Sequence, residues 1–301
     1  MIVVLEGPDG AGKSTLAQTL KNAKIPGWRP QYFHVGPPSA EQLKGQDALL
    51  RHYGSILELL GRGKSAIFDR LAYGERVYGP IFRGRDALGD LGWKVFKRLL
   101  TATDAVQILC LPPYEVAKAT WASGREELLK KEEQFLASYR AYMNAPETWD
   151  FVYDYTKPDA LPDLLKLLTE RQQNPRKTLP PGAVGNPNAT FLFVGDQSAS
   201  DLDLPFFATG ASSAYLHLAL WEAGYGEHEL AFTNAYTTRG QQRLIPWDHR
   251  KIITLGDRAL KACNAQGIPV HGRMTHPAYW RRFHTHERRQ YVLDLLALRV
   301  A

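Results

Sequence analysis

The stretch GPDGAGKST, residues 7–15, leaves little freedom in how the start of this chain folds. It fits the pattern G-x-x-x-x-G-K-[ST] in full: Gly7, Gly12, Lys13 and Ser14 stand at the fixed positions, with Gly10 and Thr15 beside them. Glycines let backbone N–H groups approach a phosphate without a Cβ in the way. The apolar run MIVVLE before the loop predicts a short buried strand, and KSTLAQTLKNA after it predicts a helix. A strand, a glycine turn and a helix that opens on the turn together make an anion site. Lys13 is placed to reach the β- and γ-phosphates of ATP, and Ser14 to ligate Mg²⁺.

The rest of the chain repeats this alternation. SAIFDR and AVQILCL are apolar runs, each followed by helical sequence, which is a parallel α/β pattern. Residues 171–190, RQQNPRKTLPPGAVGNPNAT, hold four prolines and no apolar periodicity and predict a linker. Beyond it TFLFVGD, HELAFTNAY and RKIITLG are strand-like, SSAYLHLALWEAG and DRALKACNAQG are helical, and THERRQYVLDLLALRV is a final helix. The expected organisation is a P-loop domain over 1–170, a linker over 171–188 and a second three-layer α/β domain over 189–301.

Composition limits the alternatives. With 301 residues, two domains are the natural expectation, and 44% hydrophobic content is enough for ordinary cores. A net charge of +6 favours polyanionic partners, nucleic acid first. Cys110 and Cys263 are the only cysteines, which excludes a four-thiolate zinc or iron–sulfur site within one chain and implies no disulfide framework. No apolar run reaches the roughly 18 residues of a membrane span, and the N-terminus carries no signal-peptide pattern. The expectation is a cytoplasmic protein (host-cell cytoplasm for a viral chain) with no membrane partner.

The loop says nucleoside triphosphate but not what becomes of it. Taken with FDRLAYGERVYGPIFRG (68–84) and GREELLKKEEQFLASYRAYM (124–143), it resembles the thymidylate kinase-like branch of P-loop nucleotide kinases over about the first 155 residues. The resemblance implies a P-loop NTPase parallel sheet with flanking helices. It also implies that Asp9 contacts the acceptor, that Asp69 and Arg70 lie at the acceptor site, and that Arg125 on a lid helix faces the migrating phosphoryl group. Such roles suit phosphoryl transfer, which needs positioning and cationic stabilisation more than covalent chemistry. Arg70, Arg83 and Arg85 are candidates to hold an anionic acceptor by forked hydrogen bonds. Phe33, Tyr73 and Tyr78 are candidates to stack a pyrimidine, with core packing the competing reading. Asp69 and Glu75 are the candidate carboxylates for a hydroxyl proton, with a solvated surface role competing at Glu75. One departure stands out: the lid segment 114–131 has a single arginine, with Lys118, Lys130 and Lys131 nearby, where thymidylate kinases commonly carry more arginines.

The second half resembles the uracil-DNA glycosylase superfamily through FVGDQ (193–197), PFF (205–207), TNAY (233–236), TLGDRAL (254–260) and THPA (275–278), in that order and at strand ends. The resemblance implies a base pocket with Asp196 and Gln197 on one side, His276 on the other, Phe207 stacking and Asn234 reading a base edge. The stretch RMTHPAYWRRF (273–283) then has a reason: an extruded base needs polar and stacking partners, and the gap it leaves needs support. Tyr279 and Trp280 would face nucleic acid, with Arg281, Arg282, Arg288 and Arg289 neutralising phosphates. A capped, solvated basic terminal helix is the competing reading. The proline usual after the first strand is missing from DQSAS, and so are the iron–sulfur cysteines of one branch, so hydrolysis is in doubt.

A pyrimidine kinase joined to a base-reading module resembles the 5-hydroxymethyluracil DNA kinases of bacteriophages with hypermodified thymines. That resemblance implies transfer of the ATP γ-phosphate to the hydroxymethyl oxygen at C5, with DNA containing the modified pyrimidine as partner. An alcohol acceptor brings no phosphate to the reacting end, which fits the short supply of lid arginines. Two enzyme alternatives stay open: a thymidylate-type kinase acting on a free dTMP-like nucleotide, and a DNA glycosylase with a kinase-like regulatory module. The intact loop argues against a purely DNA-binding protein.

Overall fold

A computed structural model of the chain describes residues 1–44, 49, 52–53, 56, 65–123, 129–145, 149–175, 179–180, 182–197 and 211–300. The described residues fall into two compact units. The first takes those of 1–49, 59–93 and 103–176, the second those of 50–58, 94–102 and 177–301.

The described elements, in chain order, begin with β1 (Ile2–Glu6), α1 (Lys13–Asn22), β2 (Gln31–His34), β3 (Ala66–Asp69) and α2 (Tyr73–Arg83). Next come α3 (Gly89–Ala102), β4 (Ala105–Cys110), α4 (Tyr114–Ala122), α5 (Glu132–Met143), β5 (Phe151–Tyr153) and α6 (Ala160–Gln173). Then follow β6 (Ala183–Gly185), β7 (Phe191–Gln197), α7 (Ala211–Glu222), β8 (Leu230–Tyr236) and β9 (Lys251–Leu255). The last are α8 (Asp257–Ala265), β10 (Gly272–Met274), α9 (Pro277–Phe283) and α10 (Arg288–Val300).

In the first unit five parallel strands lie in the order β2-β3-β1-β4-β5. All five residues of β1 are buried, as expected of a central strand covered on both faces, so its sequence is a continuous apolar run up to Glu6. One face carries Leu16, Ala17 and Leu20 of α1 with Leu164 and Leu168 of α6, packed on Val3, Leu5, Ile67, Val106 and Ile108. Trp28 is buried in the same cluster and donates its indole N–H to the Met1 carbonyl at 2.9 Å. The parallel order leaves the loops after β1, β3 and β4 at one end of the sheet, where the glycine loop lies.

The second unit repeats the architecture with a different order, β10-β9-β7-β8-β6, in which β6 is antiparallel and the other strands are parallel. Of the proline-rich segment 171–188, residues 171–173 complete α6 and Ala183–Gly185 form β6. The apolar pattern missed this strand because it is three residues long and pairs with β8, far along the chain. Leu192 and Val194 of β7 point to one face, against Ala259, Ala262 and Cys263 of α8. Phe191 and Phe193 point to the other, where Tyr225 meets both rings at 5.1 and 5.9 Å and Phe232 stacks on Phe193 at 5.8 Å. Successive residues of β7 therefore fill two separate layers, as the pleat requires. Among the described residues no helix is long and apolar enough to cross a membrane.

Phe193 is fully buried at the centre of this second layer. Phe193→Ala is expected to destabilise the chain by roughly 3–5 kcal/mol, read as a lowered midpoint of denaturant unfolding.

Candidate active site

The glycine loop is shaped by close approach. Gly7 has φ 149°, and a Cβ there would lie 2.2 Å from the carbonyl oxygen of Cys110 at the end of β4. Gly10 has φ 73°, and its Cβ would lie 2.4 Å from the carbonyl of Ala117 on α4. Neither position admits a side chain without moving backbone. Gly12 precedes α1 in the left-handed region, with no side chain capping the helix and no acidic residue in its first turn. The first N–H groups of α1 thus lack a side-chain cap, and the positive end of the helix dipole is not offset by a carboxylate within that turn.

Lys13 is buried, and its ammonium donates to the Pro8 carbonyl at 2.6 Å. Burial, and after it the charge of Arg70, push the Lys13 pKa down to about 8, while Asp69 and Asp9 act in the opposite sense. The Ser14 hydroxyl donates to Asp69 Oδ2 at 2.6 Å, an oxygen that also accepts from the Tyr32 hydroxyl at 3.1 Å. His34 Nδ1 stands 3.6 Å from the same oxygen. Because Ser14 gives its proton to a carboxylate, its oxygen keeps lone pairs for a hard cation, and the residue fits the expected Mg²⁺ role. Mg²⁺ bound there would neutralise phosphate oxygens.

A second group of buried polar side chains lies behind the loop. Arg70, at the end of β3, hydrogen-bonds Asp9 Oδ1 with one guanidinium nitrogen and the Gly7 carbonyl with another at 3.3 Å. Its guanidinium lies 4.7 Å from the centre of the Tyr78 ring, and the Tyr78 hydroxyl donates to Asp9 Oδ1 at 3.1 Å. The other Asp9 oxygen faces the Leu129 N–H at 3.4 Å, shortly before α5. Arg70 itself is held at φ 72°, a conformation that a residue with a side chain keeps only where its surroundings impose it. Glu6 accepts from the Leu71 N–H at 2.9 Å and from the Tyr142 hydroxyl at 3.1 Å. Burial raises the Glu6 pKa, against the opposing effect of Arg70. Burial likewise raises those of Tyr78 and Tyr142, so both phenols stay protonated donors.

The structure thus brings Asp9, Lys13, Ser14, Asp69, Arg70 and Tyr78 together around one loop. Glu6, Tyr142, Tyr32 and His34 join them although the sequence reading passed over them. Glu6 carried the one available signal, a carboxylate ending a wholly buried strand. Other expected residues are occupied elsewhere. Glu75 is buried and accepts from Arg83, on the same helix, at 2.5 Å and from the Ala87 N–H at 3.2 Å, the latter bond fastening α2 to the turn after it. Phe33 stacks on Phe68 at 5.2 Å, and Tyr73 packs among Trp93, Tyr142 and Trp149, which is the core-packing alternative for that ring. Lys118 pairs with Glu132, and Lys131 lies 3.7 Å from Glu133. Arg125 lies outside the described residues.

In the second unit the candidate residues gather at the carboxyl ends of the parallel strands. The chain runs from β7 to β8 on one side and then returns to β9 on the other, so the ends of β7 and β9 flank a topological switch point, where open α/β sheets take ligands. Asp196 accepts the Ala259 N–H at 2.9 Å, supplying from β7 the cap that Gly256 cannot give α8. Gln197 donates to the Thr238 carbonyl at 2.8 Å and accepts from Arg258 at 2.9 Å. Asn234 is fully buried on β8, opposite Gly195. His276 caps α9, its Nδ1 accepting from the Ala278 N–H at 3.2 Å. Burial lowers the His276 pKa while the nearby Asp196 charge opposes this. Tyr279 is half exposed, Phe283 is more so, and the two rings meet at 5.3 Å. Arg288 is tied to Glu222. Phe207 lies outside the described residues.

No family model matches the chain, and no curated protein matches it. Solved structures similar to it include the YorR protein from Bacillus subtilis in complex with phosphorylated GDP, at 22% identity over 57% of this chain and 98% of that one, with a TM-score of 0.44. Deoxyadenosine kinase from M. mycoides with bound dATP is 18% identical over 58% of this chain and 100% of that one, with a TM-score of 0.38. The same kinase with bound dCTP is 18% identical over 57% and 99%, with a TM-score of 0.34.

The Lys13 pKa sets a pH signature. A triphosphate would bind the ammonium form, which the free chain loses as pH rises through about 8. Nucleotide affinity is therefore expected to fall about tenfold between pH 7 and pH 9. Titration calorimetry with ATP checks this, and Lys13→Met is expected to bind weakly with the dependence gone.

Proposed function

We propose that the chain is an ATP-dependent phosphotransferase whose acceptor is the hydroxymethyl group of 5-hydroxymethyluracil in DNA. The observation that carries the transferase half is the loop itself: a buried lysine and a serine at the uncapped start of α1, on a turn whose glycines admit no Cβ. These are the parts a γ-phosphoryl group needs for charge neutralisation and alignment.

The choice of an alcohol acceptor is supported by the guanidiniums. Arg70 is engaged with Asp9 and Arg83 with Glu75, both buried carboxylates. Neither offers an unencumbered fork for an acceptor phosphate, which leaves the exposed Arg85 alone of the three candidates for that task. An uncharged hydroxymethyl group makes no such demand. The choice of DNA is supported by the second unit. Its strand ends gather Asp196, Gln197 and His276 at a switch point, and the chain carries a net charge of +6. Asp196 has one oxygen committed to the start of α8, which favours holding a base over activating water to cleave it.

The test is transfer from γ-labelled ATP with Mg²⁺ to hydroxymethyluracil duplex, unmodified duplex, free dTMP and free hydroxymethyl-dUMP in parallel. Label is expected on the hydroxymethyluracil duplex alone, and Lys13→Ala is expected to abolish it. Label on dTMP would favour a thymidylate-type kinase, and abasic sites without label a glycosylase. Either result overturns the proposal.

A further inference from the structure

We propose that His34 is the base that takes the proton from the acceptor hydroxyl, with Asp69 orienting its ring. This rests on the phosphotransferase reading above and adds to it the group that the sequence did not supply.

The argument begins with the carboxylates around the loop, each of which has other partners. Asp9 is bound by Arg70 and Tyr78, and Glu6 by Tyr142 and the Leu71 N–H. Glu75 is bound by Arg83 and the Ala87 N–H. Asp69 is the nearest to Ser14, but it is 1% exposed. Its Oδ2 already accepts two hydroxyls, and its Oδ1 is buried with no hydrogen-bond partner among the described residues. An acceptor arriving from solvent meets neither oxygen first.

His34 is placed differently. Its position follows from register: β2 pairs with β3 so that His34 stands opposite Asp69, and Tyr32, two residues earlier, shares its face. Both side chains turn to the same Asp69 oxygen that holds Ser14. One carboxylate therefore separates the histidine from Ser14, the residue that fits the Mg²⁺ role. Nδ1 is the nitrogen on the Asp69 side, at 3.6 Å, and the side chain is 59% exposed. That contact is longer than a hydrogen bond, and catalytic contacts of this kind commonly shorten when substrate arrives. A hydrogen bond from Nδ1–H to that carboxylate would leave Nε2 as the ring's acceptor.

The step balances. Nε2 accepts the acceptor's hydroxyl proton, and the oxygen lone pair forms the new bond to the γ-phosphorus. The bond from that phosphorus to the β,γ-bridging oxygen breaks, and ADP leaves with the electron pair. The imidazolium left behind returns its proton to solvent, to which His34 is open.

The experiment uses the full chain with hydroxymethyluracil duplex and labelled ATP, comparing wild type, His34→Gln and His34→Ala. Both variants are expected to lose roughly a hundredfold or more in kcat, with KM for duplex and affinity for ATP within about twofold of wild type. Free imidazole is expected to restore part of the rate to His34→Ala and none to His34→Gln, whose side chain still fills the space. Unchanged kcat in either variant overturns the proposal, as does a loss that imidazole fails to relieve in His34→Ala. If wild type labels no pyrimidine alcohol, the phosphotransferase reading falls and this inference falls with it. If wild type labels the duplex and the variants match it, only the inference falls.

Discussion

The contact between Arg70 and Asp9 ties the first unit's two decisive strand ends together. Asp9 belongs to the loop after β1, Arg70 to the end of β3, and the guanidinium reaches past Asp9 to the Gly7 carbonyl. Both ions are largely removed from water, so neither tolerates loss of the other. Removing one partner of such a pair typically destabilises by about 3–5 kcal/mol, because the survivor keeps its desolvation penalty without its attraction. The left-handed backbone at Arg70 is the local strain this arrangement sustains. Tyr78, Glu6 and Tyr142 extend the network inward, and their buried hydroxyls and carboxylates satisfy one another.

The parts of this site legible in the sequence are those whose partners are close along the chain. The strand MIVVLE, the glycine turn and the first turn of α1 occupy residues 1–15 and need no tertiary contact to be recognised. The environment of each side chain was not legible in this way. Asp69, expected beside the acceptor, accepts from Ser14, 55 residues away, a partner that the sequence does not name. Glu6 and Tyr142 meet across 136 residues, a pairing that no window of sequence reveals. His34 stands on an edge strand whose four residues are all exposed, so nothing in its apolar pattern singled it out. Glu75 and Arg83, both expected at an acceptor, lie on the one helix α2 and pair with each other there, which the pattern of that segment does not disclose.

The second unit shows the same division. Three of its parallel strands, β7, β8 and β9, were readable from apolar runs, whereas β10 is only the three residues Gly272–Met274. The proline-rich approach concealed β6, because an edge strand of three residues is defined by its neighbour rather than by its own periodicity. The roles of the polar residues again depend on partners: Asp196 serves a helix from a neighbouring strand, which its position in FVGDQ does not disclose.

Lys13 enters this picture already bonded, since its ammonium rests on the Pro8 carbonyl before any ligand arrives. Occupancy of the loop is therefore an exchange of partners rather than the filling of an empty cationic hole. An anion that draws the Lys13 ammonium away would have to match a short charge-assisted bond to a peptide oxygen, which a polyphosphate chain with several charges is better equipped to do than a single monovalent ion.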